Sequence, residues 1–166
     1  WLSALVIGSL MLLIAHGAVV WAEPCIASGL TSIFVATVPL WLVFIESVHD
    51  KRRPDAKVLG VLTAGFIGVV VLVGNMSSLG AGTTGSIAAI ALLLGALAWA
   101  LGSFYSRSAR LPDSHLMAVA QQMMTGGFLL LTTGVATGEL ASVKFDNLSQ
   151  RSIVAWLYLI VFGSLI

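Results

Sequence analysis

Six apolar runs constrain this sequence more than any motif in it. They cover about 2–21, 28–45, 58–74, 85–105 and 116–137, with a sixth from about 152 to the end of the chain. A helix needs about 20 predominantly apolar residues to cross the hydrocarbon core of a bilayer. Backbone polar groups find no water there, so segments of this length close their hydrogen bonds internally as α-helices. Composition points the same way. Only 9% of the 166 residues are charged, whereas soluble domains carry about 25%. The expected fold class is an all-α integral membrane protein, a multi-helix transmembrane bundle with the lipid bilayer as its solvent.

The connecting loops alternate in charge. The second carries Lys51, Arg52, Arg53 and Lys57, and the fourth carries Arg107 and Arg110. The first, around Glu23 to Ala27, and the third, around Asn75 to Thr84, have no Lys or Arg, while Lys144 and Arg151 fall on the fifth. By the positive-inside rule the loops 46–57 and 106–115 are expected in the cytoplasm. Trp1, Trp21 and Trp156 sit near run ends, where interfacial aromatics belong.

Trp1–Met11 and Trp156–Ile166 align without a gap, with six of eleven positions identical. The two segments are five helices apart, so the copies cross in opposite directions, as in the inverted repeats of secondary transporters. The chain starts without Met and stops inside an apolar run. A terminal carboxylate in hydrocarbon is costly, so a fragment of a longer protein is expected.

Small residues mark expected close helix contacts. Ala88, Ala91, Gly95, Ala98 and Gly102 form one narrow face of the fourth run. Gly60, Ala64 and Gly68 do so on the third, and Gly126 and Gly127 are available on the fifth.

Polar residues inside such runs are the candidates for a substrate pathway. Ser9, His16 and Glu23 recur every seven residues of the first run. On a straight α-helix they share a face, because the drift is about 20° per heptad. Histidine side chains can take up or release a proton in the physiological range, which makes His16 a candidate for a proton path, with Glu23 at its mouth. The plainer alternative is a hydrogen bond from His16 to a neighbouring helix. On the second run Ser28, Ser32, Val35 and Pro39 lie along one face, with Ser28 a possible N-cap. Pro39 removes a helical hydrogen bond and frees the Val35 carbonyl, for which Thr37 or a neighbouring helix is the expected donor. Gln121 and Gln122 on the fifth run, and Trp99 and Ser103 on the fourth, complete the set. Interhelical bonding or packing is the alternative role for these.

Other chemistries lack their residues. Cys25 is the sole cysteine, so no internal disulfide or multi-cysteine metal site is possible. No metal-ligand spacing, hydrolytic triad or Gly-rich phosphate loop with a Lys is visible. No cofactor, metal or nucleic-acid partner is expected, and the Lys51-Arg52-Arg53 run is a topology and headgroup feature.

Trp21-Ala22-Glu23, Ser28-Gly29-Leu30 and Ala36-Thr37-Val38-Pro39-Leu40-Trp41, with 98–107 and 122–127, resemble the drug/metabolite transporter superfamily in its EamA-type branch. The resemblance covers essentially the whole chain. It implies a ten-helix fold made of two inverted five-helix repeats, of which this chain is similar to helices three to seven and the start of eight. Residues 1–76 would then be the last three helices of the first repeat, and 77–166 the truncated start of the second. It further implies a bacterial inner-membrane permease that exports small metabolites such as amino acids or drug-like compounds by alternating access. The resemblance places His16, Trp21, Thr37 and Pro39 in the cavity region. Proton motive force is the expected energy source, and His16 makes a proton link a property to test. A structural membrane subunit or a membrane-embedded enzyme is the rival reading.

Overall fold

The computed structural model describes residues 1–51, 55–74, 82–139 and 149–162. Among the described residues six helical segments follow the six runs. They are α1 (Leu2–Ala22), α2 (Ser28–His49), α3 (Ala56–Gly74), α4 (Gly82–Ser106), α5 (His115–Ala136) and α6 (Gln150–Ile160). By length and composition, α1, α2, α4 and α5 can each cross a membrane. The described elements are all helical. The chain divides into two compact units, Trp1–Leu131 and Thr132–Ile166.

In the first unit α4 is the central helix. Some 44% of its most apolar window is buried, against 22%, 17% and 11% in α1, α2 and α5. The sequence explains why. The expected small-residue face of α4 lies against α1, and the two run antiparallel. A Cβ added at Gly95 would sit 3.0 Å from the Ala18 Cβ, and one at Gly102 would sit 2.6 Å from Met11 Cγ. Side chains larger than these would hold the two backbones apart. At the end of α4 near its start, Ala88, Ala89 and Leu92 bury themselves with Ala22, Ile26, Phe34 and Val69, joining α1, α2 and α3.

α2 runs parallel to α4. Phe34 shares the cluster with Ala88 and Ala89, and at the other end Glu46 pairs with Arg107. The ends of α2 and α4 that precede the second and fourth loops therefore lie together, as alternating helix direction requires. Lys51, with φ 51°, takes the left-handed conformation just past the end of α2, a common way to stop a helix.

α5 packs on α1 through two glycines. A Cβ at Gly8 would meet the Gly126 amide nitrogen at 2.8 Å, and a Cβ at Gly126 would meet Leu12 Cβ at 2.7 Å. The Thr125 hydroxyl lies 3.0 Å from the Ala4 carbonyl and 2.8 Å from the Gln121 carbonyl. Gly127 has nothing within 4 Å.

The expected face on α3 is corrected. Added Cβ atoms at Gly60 and Gly68 would meet nothing within 4 Å, and Ala64 is exposed. Gly65 makes the close approach instead, 2.6 Å from its Cβ position to Leu40 Cδ1. Spacing alone marks several possible faces of a Gly-rich helix, and the partner selects one.

Large apolar side chains point outward along these helices, among them Val20, Phe44, Ile90, Leu94, Met124 and Phe128. On a soluble protein such a surface would associate. In a bilayer it is the lipid-facing or helix-facing exterior.

In the second unit α6 begins at Gln150, where the Ser149 hydroxyl accepts a 3.1 Å bond from the Ser152 amide. Trp156 is exposed, and Tyr158 stacks on Phe162 with ring centres 4.9 Å apart. The boundary expected at 76/77 and the last four residues of the Trp156–Ile166 repeat lie outside the described residues. So do Arg52, Arg53 and Lys144.

Candidate functional site

Two local departures from regular α-helix shape the site. The first is in α1. Between Ser9 and His16 the turns widen to π-type, with bonds reaching five residues back. The Gly17 amide reaches the Leu12 carbonyl in this way. Seven residues no longer make two turns there, so the heptad argument that put Ser9 on the face of His16 fails, while Gly17–Ala22 is regular α-helix. Ser9 is half-buried, and its hydroxyl donates to the Val6 carbonyl at 2.8 Å. Glu23 is exposed in the turn after α1.

The second departure is in α2. The helix stops at Val35 and restarts at Val38, with Ala36 and Thr37 between at ψ −7° and −10°. Pro39 falls in the first turn of the second half, where a missing N–H costs little. It is thus not the mid-helix kink the sequence predicts, and the Thr37 hydroxyl serves a different carbonyl. Thr37 is buried and donates to Phe34 at 2.6 Å, rather than to Val35. Its amide also bonds Phe34, at 3.1 Å. Ala27, not Ser28, holds the cap position of α2, and the Ser28 carbonyl accepts the Ser32 hydroxyl at 2.9 Å.

Beside this break lies a cavity of about 490 Å³ between α1, α2 and α4. It is lined by Ala15, His16 and Val19, by Val35, Val38 and Pro39 on both sides of the break, and by Leu92, Gly95, Ala96 and Trp99. Small residues at 15, 95 and 96 leave the space. Of the residues singled out in the sequence, His16, Pro39 and Trp99 meet here. Ser9, Trp21, Glu23, Ser32, Thr37, Ser103, Gln121 and Gln122 do not line it. Trp21 is exposed, and Ser103 is half-buried. Gln121 and Gln122 sit at the α1–α5 contact, where their carbonyls accept from Thr125.

His16 is the one ionisable side chain among the described residues that line the cavity. Its ring lies 5.3 Å from that of Trp99, tilted by 36°. Its Nδ1 is 3.2 Å from the Met11 carbonyl. A carbonyl only accepts, so Nδ1 carries the proton of that bond and Nε2 is left to accept or, when the ring is charged, to donate. The Met11 contact spans five residues, the reach of the widened turn. Periodicity read as an ideal helix could not find it. A second groove of about 450 Å³ lies between α2 and α3, lined by Phe44, Leu59, Leu62 and Ile67 among others. Its Thr63 hydroxyl already bonds the Leu59 carbonyl at 2.8 Å, which leaves that groove with little chemistry to offer.

Apolar helices with an outward-facing apolar surface, a broken helix and a cavity beside it lined by one histidine define an all-helical membrane protein. The chain is similar throughout its length to YedA of Escherichia coli K12, described as an uncharacterized inner membrane transporter. The identity is 32% over 169 aligned residues, covering 99% of this chain and 51% of the relative. The same protein in the O6:H1 and O157:H7 strains matches equally. The chain spans about half the length of these curated relatives. The whole-chain resemblance read from the sequence holds at the level of a YedA-like protein. No protein-family model and no solved structure matches the chain.

Proposed function

We propose that this chain is part of a bacterial inner-membrane secondary transporter, of EamA type, that exports small metabolites by alternating access. The observation that carries the reading is the cavity beside the break in α2, with His16 and Trp99 on its wall. Irregular backbone at membrane depth is tolerated where it is buried in protein or lines a cavity, and broken helices at such cavities are a recurring transporter device. The description of the relatives as inner membrane transporters supports the same reading.

The substrate in this reading is small and amphipathic. Most of the lining is aliphatic, and the side chains on it that carry polar atoms are His16 and Trp99. His16 is the proposed proton-responsive group, and proton motive force the energy source. The loops 46–57 and 106–115 would face the cytoplasm, because they carry the basic excess of the sequence.

Counterflow in proteoliposomes holding the full-length protein tests the reading. Labelled substrate from a panel of amino acids and amphipathic amines should accumulate against unlabelled substrate, with a rate that responds to a pH gradient. A panel in which nothing moves at any pH overturns it.

A further inference from the structure

The half of α2 beyond the break is held at its far end by contacts that the cavity does not use. Arg107, just past α4, donates from Nη1 to the Glu46 carboxylate. One turn on, the His49 ring lies 5.0 Å from that of Phe104 on α4, edge to face at 65°. His49 Nδ1 is also 3.1 Å from the Asp50 carboxylate, which orients the ring. The ion pair and the ring contact join one end of α2 to the same end of α4.

The root of this half-helix is built differently. Val35, Val38 and Pro39 at the break line the cavity. Through the break the bonds are short-range, from the Thr37 amide to Phe34 at 3.1 Å and from the Leu40 amide to Thr37 at 2.9 Å. Pro39 has no N–H to tie the two halves together. Such a break concentrates bending, and the twelve residues of Val38–His49 form a lever of roughly 17 Å at 1.5 Å per residue. A swing of about 20° at the root, the scale of a sharp helix kink, moves the far end by about 6 Å. Glu46, about 12 Å along the lever, moves by about 4 Å, which is enough to separate it from Arg107.

We infer that Glu46, His49, Phe104 and Arg107 form a latch that closes one end of the path to the His16 cavity, and that the Ala36–Thr37 break is its hinge. The inference rests on the alternating-access reading for its purpose, but the closure itself can be measured without any substrate. A partly exposed ion pair is a weak contact. A gate that must open repeatedly needs a weak contact, and the ring contact adds to it.

The test uses full-length protein in inside-out membrane vesicles, with native cysteines replaced and Val38→Cys as reporter. A membrane-impermeant maleimide is added from the side that carries residues 46–51. Glu46→Arg and Arg107→Glu each set like charges face to face and should raise the labelling rate about three- to tenfold. The double exchange Glu46→Arg/Arg107→Glu should return it toward the parent rate. His49→Ala, an exposed position whose loss leaves the helix intact, should raise it about two- to threefold. Equal rates in the parent, both single variants and His49→Ala overturn the latch. So does a double exchange that stays as fast as the single ones, since the charges would then act separately. If the labelling pattern holds while the parent moves no substrate, the closure stands and the transport reading falls.

Discussion

The contact between α1 and α5 gives a stability test with an internal control. Gly8 faces the α5 backbone, where a methyl group would lie 2.8 Å from the Gly126 nitrogen, 2.8 Å from Thr125 Oγ1 and 2.9 Å from the Gln122 carbonyl. Two of those three atoms are backbone and cannot rotate away, so Gly8→Ala must push the helices apart. That movement also strains the 3.0 Å bond between the Thr125 hydroxyl and the Ala4 carbonyl. Overpacking of this kind costs about 1–3 kcal/mol. For a protein of this size, 1 kcal/mol corresponds to about 2–4 °C in melting temperature, so a loss of about 4–8 °C is expected at the middle of the range. Gly127, one residue from Gly126, has nothing within 4 Å. Gly127→Ala is expected to leave the melting temperature unchanged or raise it slightly, because alanine is the better helix former by about 1 kcal/mol. Thermal unfolding of the detergent-solubilised protein, followed by size-exclusion with fluorescence detection, compares the two. Melting temperatures for the two variants within 1–2 °C of each other would refute the packing argument.

Three further outcomes follow from the site. His16→Ala should flatten the pH dependence of transport while leaving membrane insertion intact, and pH profiles matching the parent would remove His16 from the mechanism. Thr37→Val keeps the shape but deletes the 2.6 Å bond to Phe34. It should destabilise the protein by about 1 kcal/mol, read as a melting shift of about 2–4 °C. Trp99→Ala should enlarge the cavity and lower apparent substrate affinity about tenfold by removing the ring beside His16, and unchanged counterflow affinity would move the binding site elsewhere.

The sequence by itself determined the helices. In hydrocarbon each helix must satisfy its own backbone, so an apolar run of sufficient length is a helix whatever surrounds it. Run ends predicted at 21, 74 and 105 lie within a residue of those observed, at Ala22, Gly74 and Ser106. The α4 face from Ala88 to Gly102 was legible too, because it combines five small residues in one register, and Gly95 and Gly102 on it make close contacts with α1.

Tertiary structure decided which of the remaining signals were used. Gly60 and Gly68 had the right spacing but met no partner, while Gly65 met Leu40. Pro39 looked like a kink in one helix and is the first turn of a second. The widened turns of α1 separate Ser9 from the face of His16, which lines the cavity. The physical reason is common to all three. Helix formation in lipid is a local property of a segment, but a face, a break or a widened turn is selected by the neighbouring helix it packs against. The polar stripe assumed an ideal helical period; α1 has a wider one between Ser9 and His16, and of the stripe His16 alone lines the cavity beside the break in α2.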